Sequence, residues 1–124
     1  MANVTVFDIS GGVVTVKTTS SIAAAATTQT VPVGKDNRLA LRVANGNATA
    51  VTVRLKSGDG PRAPLGDNDV VVAANSTAYI ALYDTARYKS GGVVTVALMQ
   101  GTGDTATALG ETERGEVQIE AAQL

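Results

Sequence analysis

The residues best equipped for chemistry are three aspartates, Asp59, Asp67 and Asp69, within or beside one glycine-rich stretch. Carboxylate oxygens suit a hard cation such as calcium. Their spacing does not follow the twelve-residue calcium loop, and aspartate in loops commonly serves turns by bonding its own backbone. The rest of the catalytic repertoire is sparse. The chain has no His and no Cys, which removes Ser-His-Asp and Cys-His nucleophiles, His-ligated metals, thiol chemistry and disulfides. No Gly-x-x-x-x-Gly-Lys-Ser/Thr loop occurs, and no Gly-x-Gly-x-x-Gly links a strand to a helix. Glutamate is confined to positions 111 to 120, so a pair of carboxylates facing across a cleft, as glycoside hydrolysis requires, is not expected. Tyr79, Tyr83 and Tyr88 could stack on a sugar. Tyr79 and Tyr83 alternate with Ile80 and Leu82 along one strand-like run, which favours a packed or edge-lining role. The reading is a non-enzymatic β module with no catalytic residue, no cofactor and no metal.

The elements that would carry these residues read as strands. Val and Thr are abundant, and branching at Cβ suits a pleated, half-buried surface. With one Phe, three Tyr and no Trp, the core must be built from Val, Leu, Ile and Ala, which predicts modest stability in isolation, raised by assembly. Residues 38–44 and 50–56 alternate apolar and polar around Asn45-Gly46, and this predicts a hairpin. Leu39, Leu41 and Val43 would share one face with Val51, Val53 and Leu55. Arg42, Thr52, Arg54 and Lys56 would form a basic outer face. A second hairpin is expected from residues 70–72, a turn at 73–76, and residues 77–83. Between the two lies a loop, residues 57–68, with three Gly and two Pro in twelve positions, long enough to be a contact loop.

Before this centre, residues 3–9 and 13–19 suggest an opening hairpin, and 20–35 an extended arm with a strand near 29–33. After it, residues 84–92 suggest a helical turn or bend leading to a last core strand at 93–99. The hexapeptide Gly-Gly-Val-Val-Thr-Val occurs at 11–16 and again at 91–96, as two similar entries from turn to strand. Residues 100–115 are small, polar and glycine-rich, as in a flexible linker, and Glu116-Val117-Gln118-Ile119-Glu120 alternates as an added edge strand would. One domain is expected: an N-terminal hairpin and arm (1–36), a core (37–100) and a flexible acidic tail (101–124).

Charge points the same way. Ten Lys/Arg against eleven Asp/Glu give a formal net charge of −1, so nothing favours nucleic acid. Residues 1–100 hold nine Lys/Arg against six Asp/Glu, while residues 101–124 hold Arg114 against five acids. No export signal or membrane-length apolar run is apparent. The sequons at Asn3, Asn47 and Asn75 therefore read as turn and strand chemistry.

The run from Asn37-Arg38-Leu39 through Asn45-Gly46, Val51-Thr52-Val53 and Val70 to Thr77, then Leu82-Tyr83-Asp84-Thr85-Ala86-Arg87-Tyr88 and Gly92-Val93-Val94-Thr95-Val96, resembles the small β-sandwich proteins encoded among the head genes of tailed bacteriophages. These are capsid decoration (cement) proteins or similar virion components. In that family a turn-like segment ending in an aromatic residue and a Gly-Val strand close the sandwich, matched here by residues 84–88 and 92–96. The resemblance covers residues 37–99. It implies an all-β, antiparallel β-sandwich, immunoglobulin-like or jelly-roll-like, with an extended N-terminal arm and a C-terminal tail. It implies a virion protein made in the host cytoplasm. Its partner would be the major capsid protein of the same virion, and it would self-associate as a trimer or as lattice-bound copies, without nucleic acid or membrane. Candidate contact residues are Arg42, Arg54, Lys56, Arg62, Glu116, Val117 and Ile119. Deleting 101–124 is expected to leave the body folded and weaken assembly. The competing readings are a carbohydrate- or surface-binding module of a phage tail or secreted protein, and a tail-tube subunit.

Overall fold

The computed structural model describes residues 2–3, 6–8, 20–21, 28–33, 39–60, 63–82 and 85–123. The expected strand at 13–19 lies outside them. In chain order the strands are β1 (Ala2–Asn3), β2 (Val6–Asp8), β3 (Ser20–Ser21), β4 (Thr28–Pro32), β5 (Leu39–Asn45), β6 (Val51–Leu55), β7 (Asn68–Val72), β8 (Ser76–Leu82), β9 (Lys89–Ser90), β10 (Val93–Gln100), β11 (Thr107–Ala108) and β12 (Val117–Gln123). Among the described residues two single α-helical turns, α1 (Thr85–Tyr88) and α2 (Glu111–Arg114), and two 3-10 turns, Ala63–Leu65 and Gly103–Thr105, interrupt them.

The strands form two sheets packed face to face. One runs β1-β4-β10-β6-β7, with β9 and β11 beside β10. The other runs β2-β12-β5-β8, with β3 also beside β12. The antiparallel pairs β3–β12, β4–β10, β5–β8 and β6–β7 nest inside one another along the chain. That nesting is jelly-roll topology, which decides between the two sandwich types the resemblance left open. Among the described residues only β1–β4 and β2–β12 are parallel. The N-terminal strands thus join a different sheet each, β1 beside β4 and β2 beside β12.

The core follows from period-two alternation. Leu39, Leu41 and Val43 of β5 face Val51, Val53 and Leu55 of β6 across the sandwich, all at most 1% exposed. Val94, Val96 and Leu98 of β10 complete one layer, and Ile80, Leu82, Val117 and Ile119 the other. Tyr88 and Leu109 close the core from α1 and from the segment before α2.

Four expectations are corrected. First, β5 and β6 do not pair as a hairpin, because they belong to opposite sheets and the five residues between them form an arch. Neither Asn45 nor Gly46 adopts the positive φ of a tight hairpin turn. Second, β7 and β8 are likewise joined by an arch, with Asn75 at φ 51°. Third, the opening hairpin is replaced at 6–8 by a strand parallel to β12, and the arm is drawn into the body, since β4 lies between β1 and β10. Fourth, the tail belongs to the body. β12 lies inside its sheet, paired with β5 over seven residues from Val117↔Asn45 to Gln123↔Leu39. In place of a flexible linker, Gln100 and Met99 pair with β11, and Leu109, 3% exposed, donates its N–H to the Leu98 carbonyl at 3.0 Å.

Candidate functional site

Three surfaces gather polar side chains. The first grows from the β6–β7 pair. Register places Arg54 opposite Asp69, and the guanidinium takes both carboxylate oxygens, Nε–Oδ1 at 2.8 Å and Nη2–Oδ2 at 3.1 Å. Nη2 also donates to the Gly103 carbonyl at 2.8 Å, and the Gly103 N–H returns to Asp69 Oδ2 at 3.0 Å. The turn at 103–105 is thereby clamped to the sheet. Beside it, Lys56 Nζ lies 3.1 Å from Asp67 Oδ2, and the Ser57 N–H donates to Asp67 Oδ1 at 2.7 Å. The Arg54 bond, then the Gly103 N–H, hold the Asp69 carboxyl below its ordinary range. Burial works to raise Asp67, but the Ser57 N–H and Lys56 outweigh it and leave that carboxyl lowered too. The bond it donates to Asp69 raises the Arg54 pKa. Arg54, Asp67, Asp69, Gly103 and Asp104 line an open basin of about 510 Å³.

This arrangement fastens loops. Asp59, considered with Asp67 and Asp69 as a cation ligand, accepts from Ser90 Oγ at 2.9 Å, so each of the three carboxylates has its own separate donor. Among the described residues no group of three or more His, Cys, Asp or Glu could hold a metal. Arg87 donates to the Leu65, Gly66 and Asp67 carbonyls, while its guanidinium lies 5.1 Å from the Tyr88 ring centroid. The described part of the long loop is therefore tied to α1 and β9.

The second surface is the outward face of β8, β5 and β12. Register sets Tyr79, Arg42 and Glu120 in one row. Arg42 Nη1 lies 3.3 Å from Glu120 Oε1, with Arg42 one-third exposed and Glu120 buried. Tyr79 is 78% exposed.

The third surface lies at the arches. Asn45, 3% exposed, donates from Nδ2 to the carbonyls of Thr49 (2.9 Å), Ala73 (3.2 Å) and Val72 (3.3 Å). Its Oδ1 accepts from the Asn47 N–H at 2.9 Å and Asn47 Nδ2 at 3.0 Å. The Asn47 carbonyl in turn accepts from the Asn75 N–H at 3.0 Å. One amide thus pins both arches together. Asn45, Gly46, Asn75, Ser76, Thr77 and Glu116, with Ala44 and Gln118, line a shallow basin of about 350 Å³ there.

The candidate contact residues are scattered by this geometry. Arg42 and Arg54 face outward from opposite sheets, so the expected single basic face of Arg42, Thr52, Arg54 and Lys56 is split, and Thr52 is buried. Val117 and Ile119 are completely buried in the core and offer no contact. Glu116 is exposed and accepts the Gly46 N–H at its carbonyl. Arg62 lies outside the described residues. Sequence reasoning missed the Asn45 clamp and the edge of β8, along which no described strand lies. The second left a signal, an uncharged seven-residue run from Ser76 to Leu82. Compared with known proteins, the chain matches no family model, no curated protein and no solved structure.

Proposed function

We propose that the chain is a structural protein of a bacteriophage virion, of the head decoration type, which lies on the outside of the capsid lattice and stabilises it. The observation that carries this reading is the way the body closes. The segment ending at Tyr88 turns its aromatic ring into the core at 6% exposure, and Gly92 then opens β10, an interior strand of its sheet. That is the closure the resemblance implies. Further support comes from the polar side chains described above, which are spent in pairs that fix arches and loops. Such a body presents relief and edges for contact, and on a lattice weak contacts act together.

The described strands of the arm and tail expected to reach neighbours are paired within the sheets, so contact falls to the sheet faces and edges. The test is co-sedimentation with capsids assembled from the major capsid protein of the same virion. Saturable binding at a fixed number of copies per capsomer is expected. Absence of binding, with a specific hit on a glycan array, would replace this reading with the carbohydrate-binding one.

A further inference from the structure

Both sheets end on the same side of the sandwich. β7 is the last strand of one sheet and β8 of the other, joined through Ala73, Ala74 and Asn75. On the opposite side the N-terminal strands lie along β4 and β12. β8 pairs with β5 in register along all seven of its residues, and alternate residues of an antiparallel strand turn their N–H and C=O to the other edge. Among the described residues no strand lies along its other edge. Edge strands in soluble proteins are ordinarily guarded by Lys, Pro, a bulge or a covering loop. β8 reads Ser-Thr-Ala-Tyr-Ile-Ala-Leu, with no charge, no Pro and no Gly.

We propose that two copies of this chain join along β8, antiparallel about a two-fold axis at Tyr79, so that the β2-β12-β5-β8 sheet runs on from one protomer into its partner. The strand's own sequence argues for a second copy. Paired with itself about Tyr79, it sets Ser76 against Leu82, Thr77 against Ala81, Ala78 against Ile80 and Tyr79 against Tyr79. No like charges meet, and the two aromatic rings fall opposite one another, a favourable cross-strand pair. Tyr79, 78% exposed in the protomer, is the most exposed large apolar side chain among the described residues. An axis normal to the sheets also carries β7 toward its counterpart. Val71, 55% exposed on the outer face of that strand, then lies near the same junction. An interface of this kind is isologous, with each residue meeting its mirror position.

The inference concerns the isolated chain, so it stands or falls separately from capsid binding. Sedimentation velocity over about 1 to 100 µM should show a concentration-dependent dimer. Thr77→Lys with Ala81→Lys places lysines opposite lysines and should weaken association at least about tenfold, with an unchanged melting profile. Thr77→Lys with Ala81→Glu places opposite charges across the same positions and should restore the dimer. Because the chain has no Cys, Tyr79→Cys should oxidise to a cross-linked dimer, and Thr77→Cys should not. A wild-type chain that stays monomeric across the range would overturn the proposal. So would a double-lysine variant that dimerises as tightly as wild type, or equal cross-linking by the two cysteine variants. If the double-lysine variant fails to fold, the cysteine pair decides.

Discussion

The Asn45 amide is the sharpest place to perturb this fold. It donates to three carbonyls on both arches and accepts twice from Asn47, while 3% exposed. Two hydrogens shared among three acceptors amount to about two full donor bonds, each worth about 1 kcal/mol net. Truncation to Ala also strips the buried Val72 carbonyl of this donor, and an unsatisfied buried group adds about 1–3 kcal/mol. With partial relief by entering water, Asn45→Ala should cost about 3 kcal/mol. In urea, with a slope of about 1.5–2 kcal/mol per molar, the midpoint should fall by about 1.5–2 M at unchanged slope. Asn47→Ala keeps the backbone bonds and should cost about 1 kcal/mol. Asn45→Asp supplies a further check of sign. Its carboxylate cannot donate to the three carbonyls, whereas the protonated acid can donate to one. Its folded pKa is therefore raised, and the variant should gain stability as pH falls through that value. An Asn45→Ala midpoint within about 0.3 M of wild type would refute the clamp, since that corresponds to less than one hydrogen bond.

Other tests follow from the same structure. Asp67 and Asp69 are both held below the ordinary carboxylate range, so they contribute stability above about pH 4 that is lost as pH falls through their folded values. Asp67→Asn with Asp69→Asn should flatten the acid limb of melting temperature against pH, and parallel curves would contradict this. Removing residues 101–124 takes out an interior strand and should abolish cooperative unfolding by circular dichroism. A sharp transition in the truncated chain would show that β12 is dispensable. At Gly58 an added Cβ would overlap the Lys89 carbonyl, so Gly58→Ala should cost about 1–3 kcal/mol, read by urea denaturation, unless the strand shifts freely.

Strand positions were legible because period-two alternation survives in any sheet. β5, β6, β8 and β10 start and end within a residue of where the apolar pattern puts them. Pairing was not legible. Leu39-Leu41-Val43 and Val51-Val53-Leu55 present the same inward faces whether they join edge to edge or face each other across a core. The Asn-Gly signal tipped the reading toward a hairpin, yet Asn45 spends its side chain on neighbouring carbonyls. The tight two-residue turn falls instead at Gly91 and Gly92, φ 60° and 80°, between β9 and β10. The glycine-rich stretch after Gln100 looked loose because composition does not register Leu109 as an anchor. Arg54 and Asp69 stand fifteen residues apart, and only the β6–β7 register joins them.

The position of β12 has a consequence for how the polypeptide acquires its shape. β12 is wedged beside β5, a strand translated far earlier, with Glu120 reaching Arg42 seventy-eight residues back. During synthesis the β5 edge that β12 covers stays open until β12 has left the ribosome. Non-local pairing of this kind slows folding and lengthens exposure to wrong strands. Closure of this sheet therefore waits for the synthesis of β12.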